Sequence, residues 1–159
     1  MIEVGNIFEG RVGRIESYGA FICSDEAEVF VHSNEWSWTE SYSPREPSLL
    51  NRVVRVLITG WHPEKKQWFG SVRRAEPPES NPYLALTRVA GDERLPATVD
   101  FMIAGDCMVR LDNGAVGHVR RSTVPMLSIG DRVDVTVADV DPVLGRLYVN
   151  AEELIQPNA

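Results

Sequence analysis

The sequence predicts an all-β protein made of two similar halves, each a small barrel or sandwich of short strands. Apolar residues recur mostly at every second position, the period of a strand with one buried face. Val53-Val-Arg-Val-Leu-Ile58 and Val133-Asp-Val-Thr-Val137 are examples. Turn-forming clusters interrupt these runs often, at Trp61-His-Pro63, Asp112-Asn-Gly114, Ser128-Ile-Gly-Asp131 and Asp141-Pro142, the spacing of a small barrel or sandwich. The pattern also occurs twice.

Taken in chain order, Gly10-Arg-Val-Gly-Arg-Ile15 forms a strand that aligns with Ala97-Thr-Val-Asp-Phe-Met102. Val54–Ile58 aligns with Val133–Val137, and from there Pro63 meets Pro142, Phe69 meets Tyr148 and Ser71 meets Asn150 without a gap. The two alignments differ by eight residues, an insertion in the first half between its third and fourth strands, around Trp36–Pro47. Ala75-Glu-Pro-Pro-Glu-Ser-Asn-Pro82 is the one strong break in composition, the kind of segment that separates domains. The expected division is a first domain over 1–76, a linker over 77–94 and a second domain over 95–159. Helical signals are weak; residues 82–90 and the tail 151–156 could each form a turn or two.

The chain has 159 residues, 43% hydrophobic and 25% charged, with a net charge of −7 from 16 basic and 23 acidic side chains. An acidic chain is a poor general polyanion binder, because nonspecific nucleic-acid affinity comes from Lys and Arg at phosphates. A local basic groove is still open, since Arg11, Arg14, Arg52, Arg55, Lys65, Lys66, Arg73 and Arg74 fall within residues 11–74. The same charge suits a protein partner. No apolar run reaches the roughly 20 residues of a bilayer span, and the first residues lack the order of a signal peptide. Cys23 and Cys107 read as free thiols in a reducing compartment, so a cytoplasmic protein is expected.

Residues 5–22, Gly-Asn-Ile-Phe-Glu-Gly-Arg-Val-Gly-Arg-Ile-Glu-Ser-Tyr-Gly-Ala-Phe-Ile, resemble the opening of the S1-type RNA-binding domain, the repeat of the ribosomal protein S1 family. Phe30-Val-His-Ser-Asn-Glu35 and Ser71-Val-Arg73 continue the likeness, which covers nearly all of residues 5–75. The second half resembles the family more weakly, through Asn81-Pro-Tyr83, Gly117-His-Val-Arg120, Asp139-Val-Asp141 and Gly145-Arg-Leu147. The resemblance implies two tandem five-stranded Greek-key β-barrels of the oligonucleotide-binding (OB) class, joined by a short Pro-containing linker, the second copy degenerate.

Within that resemblance, Tyr18 and Phe21 are the stacking platforms for unpaired bases and His32 is the third contact. From pattern alone, filling of the barrel by one or both rings is an equal reading. Residues three apart on a regular strand face opposite sides, so a bulge at Gly19 is expected to turn both rings outward. The family's acidic and basic pair across the last hairpin is replaced in the first half by His62 and Gln67. The second half keeps that pair as Asp141 and Arg146, but has Gly105 and Met108 at the stacking places and Arg120 at the histidine place. Without platforms, the second barrel is expected to bind bases poorly and to serve in packing, protein contact or electrostatic support.

Trp36, Trp38, Tyr42, Trp61, Trp68 and Phe69 crowd the first half, whereas the second has no tryptophan. Trp36, Trp38 and Trp61 are placed in loops as further RNA contacts, with either Trp68 or Phe69 facing inward. Lys65, Lys66 and Arg73, with Arg74, are candidate phosphate contacts, and solvated charge explains any one of them equally well. His32, His62, His118 and the two cysteines lack metal-ligand spacing, and no phosphate loop or nucleophile elbow occurs. The expectation is a non-enzymatic binder of single-stranded mRNA or rRNA in translation or RNA metabolism, without cofactor, metal or membrane. The alternative is a protein-interaction module that docks on a ribosomal, transcription or RNA-binding partner.

Overall fold

A computed structural model describes residues 2–39 and 49–158. The chain divides into two compact units, Met1–Ser80 and Asn81–Ala159. The first contains β1 (Ile7–Glu16), β2 (Gly19–Cys23), β3 (Glu28–His32), β4 (Val53–His62) and β5 (Gln67–Ser71). They close a barrel in the order β1-β2-β3-β5-β4, with β3 and β5 parallel and the other pairs antiparallel. Alternation fills its interior with Phe8, Val12, Ala20, Ile22, Val29, Val31, Val56 and Ile58, all buried. Each Val, Ile or Phe among them contributes about 1.5–3 kcal/mol by leaving water, and their neighbours in sequence are turned outward.

The second unit begins with a short helix, α1 (Pro82–Leu86), followed by β6 (Leu95–Ile103), β7 (Asp106–Leu111), β8 (Val116–Ser122), β9 (Arg132–Asp141) and β10 (Arg146–Gln156). These strands close a second barrel of the same topology. Asn81 caps α1 by accepting from the Tyr83 N–H, and its own amide donates to the Pro142 carbonyl. Tyr83 and Leu86 are buried, and the Tyr83 hydroxyl accepts from the Val116 N–H at 3.0 Å. The helical turn expected after Asn81 is therefore a docked part of the second unit. The tail is not helical: residues 151–156 extend β10, and their pairing with β9 runs to Gln156 opposite Arg132. That long ladder satisfies the backbone where an isolated helical turn would leave its ends open.

The repeat extends to the irregularities. β1 breaks register between Val12 and Arg14, and β6 does so between Val99 and Phe101. Thr59 is skipped between Ile58 and Gly60 on β4, and Ala138 is skipped between Val137 and Asp139 on β9. The connection that separates the halves in length is residues 33–52, against 123–131 in the second unit. Part of the expected insertion, with Tyr42, lies outside the described residues.

Candidate nucleic-acid interface

One row of side chains crosses the outer face of the first barrel. Arg14 on β1 is opposite Phe21 on β2, Phe21 is opposite Phe30 on β3, Phe30 is beside Phe69 on β5, and Phe69 is opposite Gly60 on β4. The ring centroids of Phe21 and Phe30 are 5.1 Å apart, and those of Phe30 and Phe69 are 5.8 Å apart, edge to face. Tyr18 adds a fourth ring 5.6 Å from Phe30 and is 51% exposed. Such spacings are those of favourable aromatic pairs, about 0.5–1.5 kcal/mol each beyond burial. Tyr18, Phe21, Phe30, His32, Lys65, Gln67 and Phe69 together line a concavity of about 280 Å³.

The local chain explains how the rings come together. Ala20 and Ile22 point into the core, so Phe21 between them points out. Tyr18 needs no bulge at Gly19: it precedes β2 in a turn, while Gly19 pairs regularly with His32. The bulge lies instead at Gly13 in β1. Gly19 serves through its missing side chain, because a Cβ there would stand 2.4 Å from the Val31 carbonyl oxygen and 2.7 Å from the Phe30 ring. Phe30 lies over that gap. Phe21 is only 7% exposed, for the Arg14 guanidinium lies 3.9 Å from its ring centroid. It therefore buttresses the row, and Tyr18, Phe30 and Phe69 offer the more open surfaces.

His32 stands at the edge of the concavity and caps the turn Ser33–Glu35, its Nδ1 accepting from the Asn34 N–H at 3.3 Å. Nε2 then carries the hydrogen of the neutral ring and is the group free to donate. His62 sits on the same outer side, 6.1 Å from Phe69, and its Nδ1 accepts from the Lys65 N–H. Gln67 donates to the carbonyls of Glu28 and Trp68. Lys65 is exposed within the concavity, and Lys66 occupies the β4–β5 turn with φ 49°.

Four expected contacts are placed otherwise. Trp38 is buried rather than displayed on a loop; its Nε1 donates to the Arg73 carbonyl at 2.9 Å. The Arg73 guanidinium packs 4.2 Å from that indole and pairs with Glu35 at 3.2 Å, which takes it away from any phosphate. Trp36 packs half-buried against the core. Trp61 belongs to β4 rather than to a loop and leans on Trp68, 4.8 Å between centroids, although it stays 45% exposed. Of the pair Trp68 and Phe69, Trp68 packs against the core and Phe69 lines the concavity. Phe30 was overlooked as a site residue. Its signal was present in Phe30-Val-His32, where alternation puts Phe30 and His32 on one side.

The second barrel carries the equivalent row as Phe101, Met108, His118, Tyr148 and Asp139. Rings stand elsewhere in this row: His118 and Tyr148 are 5.7 Å apart, and the Arg120 guanidinium lies 4.5 Å from the Tyr148 centroid. His118 Nε2 is 3.6 Å from Asp106. Asp141 is occupied in its turn, accepting from the Val143 and Leu144 N–H groups, and Arg146 is exposed opposite it. Burial pushes the thiols of Cys23 and Cys107 up, so both stay protonated and weakly nucleophilic at neutral pH. Among the described residues no cluster of three His, Cys, Asp or Glu side chains is placed to hold a metal. No helix among them is long and apolar enough to cross a membrane.

A closed barrel with this strand order and a ring-covered outer face on β2, β3 and β5 defines an oligonucleotide-binding barrel. Residues 2–73 match the family model described as the S1 RNA binding domain, and the first barrel belongs to that family. The chain is 26% identical to small ribosomal subunit protein bS1 of Rickettsia typhi over 96% of its own length and 28% of the relative's. It thus spans little more than a quarter of that protein. A polyribonucleotide nucleotidyltransferase of Lactococcus lactis is 35% identical over 35% of this chain and 7% of that one. Among solved structures, GSP13 from Bacillus subtilis aligns at 27% identity with a TM-score of 0.39, covering 48% of this chain and 62% of that one.

Proposed function

We propose that the first barrel is a non-catalytic module for single-stranded RNA, acting in translation or RNA metabolism. Unpaired bases stack on the concavity formed by Tyr18, Phe30 and Phe69. The observation that carries this reading is the row of rings on an outer face, beside a core already filled by Phe8 and seven aliphatic side chains. A base presents a π-face whatever its sequence, and stacking is worth about 1–3 kcal/mol per base. Lys65 supplies a cation at the rim, and the Nε2–H groups of His32 and His62 supply donors toward phosphate or base edges. The match to the S1 RNA binding domain and the relatives named bS1 support the same reading.

Titration of a fluorescein-labelled oligo(U) 12-mer, followed by anisotropy, tests it. Saturable binding that weakens with salt is expected. Binding that is absent, or that persists unchanged when Tyr18 and Phe69 are both replaced by Ala, refutes the reading.

A second reading concerns the other barrel. Met102 and Ile103 at one hairpin, and Val143 and Leu144 at another, are exposed. The aligned positions of the first half are Ile15, Glu16, Glu64 and Lys65. Apolar residues where the first half carries Glu16, Glu64 and Lys65 suit contact with a protein, on a ribosomal, transcription or RNA-binding partner. Capture of that partner by the whole chain should survive nuclease and be lost in an Ile103→Asp, Leu144→Asp variant.

A further inference from the structure

The row of rings is closed at one end by Arg14 and open at the other. Opposite Phe69, on β4, stands Gly60. Glycine inside a strand costs about 0.5–1 kcal/mol relative to alanine, so its presence asks for a reason. A left-handed backbone is not the reason, because Gly60 is not among the residues with positive φ. Crowding is not the reason either: a Cβ there would meet nothing within 4 Å. The repeat is informative, since the same bulge on β9 is followed by Asp139, opposite Tyr148. This backbone position accepts a side chain.

What Gly60 does is leave bare backbone beside Phe69, and a strand glycine without other cause marks a place of close approach. We propose that Gly60 is the floor of a further nucleotide subsite. The ribose-phosphate next to the base on Phe69 crosses β4 there, carrying the bound strand off the ring row. His62 flanks this path: it lies on the same outer side, opposite Gln67, and its Nδ1 is engaged by the Lys65 N–H, which leaves Nε2–H to donate to phosphate. In the second barrel the exposed Asp139 carboxylate stands at the equivalent place and repels a phosphate. The two barrels thus differ in the path they leave for a strand as well as in their rings. The inference rests on the proposed RNA binding.

The test compares Gly60→Val, Gly60→Asp and Gly60→Asn with wild type and with Tyr18→Ala, using oligo(U) 12-mers and 3-mers in the anisotropy assay. All Gly60 variants should keep the wild-type circular dichroism; if the β-branched variant does not fold, Gly60→Ala replaces it. Gly60→Asp is expected to weaken 12-mer binding by about tenfold, through like charge, with Gly60→Val and Gly60→Asn a few-fold weaker. The 3-mer, short enough to stay on the rings, should bind all of them alike. If Tyr18→Ala weakens the 12-mer and the Gly60 variants bind as wild type, the subsite is refuted and the RNA reading stands. If the wild-type chain does not bind the 12-mer at all, the RNA reading itself falls and takes the subsite with it.

Discussion

Replacing Tyr18 by Ala separates binding from folding more cleanly than any other change on the ring row. The side chain is half exposed and precedes β2, and the backbone bond from the Ser33 N–H to the Tyr18 carbonyl, 3.0 Å, survives any substitution of the ring. The fold loses one aromatic contact, to Phe30 at 5.6 Å, worth about 0.5–1.5 kcal/mol. For a domain of this size that lowers Tm by a few degrees, about 10 °C at most. Binding loses a whole stacking surface, about 1–3 kcal/mol, or about 5- to 150-fold in Kd. Tyr18→Phe keeps the π-face and should bind within about twofold of wild type. Anisotropy with labelled oligo(U) at fixed salt gives the affinities, and thermal circular dichroism gives the stabilities. A folded Tyr18→Ala protein that binds within twofold of wild type refutes the stacking argument at this position.

Four further outcomes are expected. Gly19→Ala forces a methyl against the Val31 carbonyl and the Phe30 ring, so it should cost about 1–3 kcal/mol in urea unfolding and also weaken RNA binding by tilting Phe30. Arg73→Met breaks the pair with Glu35, which keeps Arg74 as a partner at 3.2 Å, and should cost about 1–3 kcal/mol of stability, while affinity measured well below its Tm stays unchanged. Lys65→Gln should reduce the slope of log K against log salt by about 0.7, one phosphate contact on a single strand. Asp131 accepts from the Asn158 and Ser128 N–H groups, which hold its carboxyl below the ordinary value. A group depressed in the folded state stabilises fully above its unfolded value of about 4, and that stabilisation is lost as pH falls through the folded value. Asp131→Asn should therefore lower Tm of the second unit at pH 7 and flatten its fall below pH 4; an unchanged acid limb would contradict the assignment.

Much of this was readable from residue order because strand physics is local. Alternation in Val53–Ile58 and Val133–Val137 needs only neighbours two apart to reveal a buried face. The alignment of Phe69 with Tyr148, and of Thr59 with Ala138, carries the repeat down to its bulges. Arg73 and Trp38 were misplaced for a different reason. Their partners lie 38 and 35 positions away, in Glu35 and in Arg73 itself. A cation in a basic stretch looks the same whether it meets water, phosphate or a buried carboxylate. The tail 151–156 was misread because a weak local preference yields to a long ladder.

By itself, the order of residues determined the class of fold, the doubling, and the clustering of aromatics and cations in the first half, since composition and period are properties of short windows. Only the closed barrel decided that Phe21 is covered by Arg14, that Phe30 and Phe69 join the exposed row, and that Gly60 ends it in bare backbone. Those are relations between strands far apart in the chain. They exist only once hydrogen-bond register has set which side chains stand opposite one another.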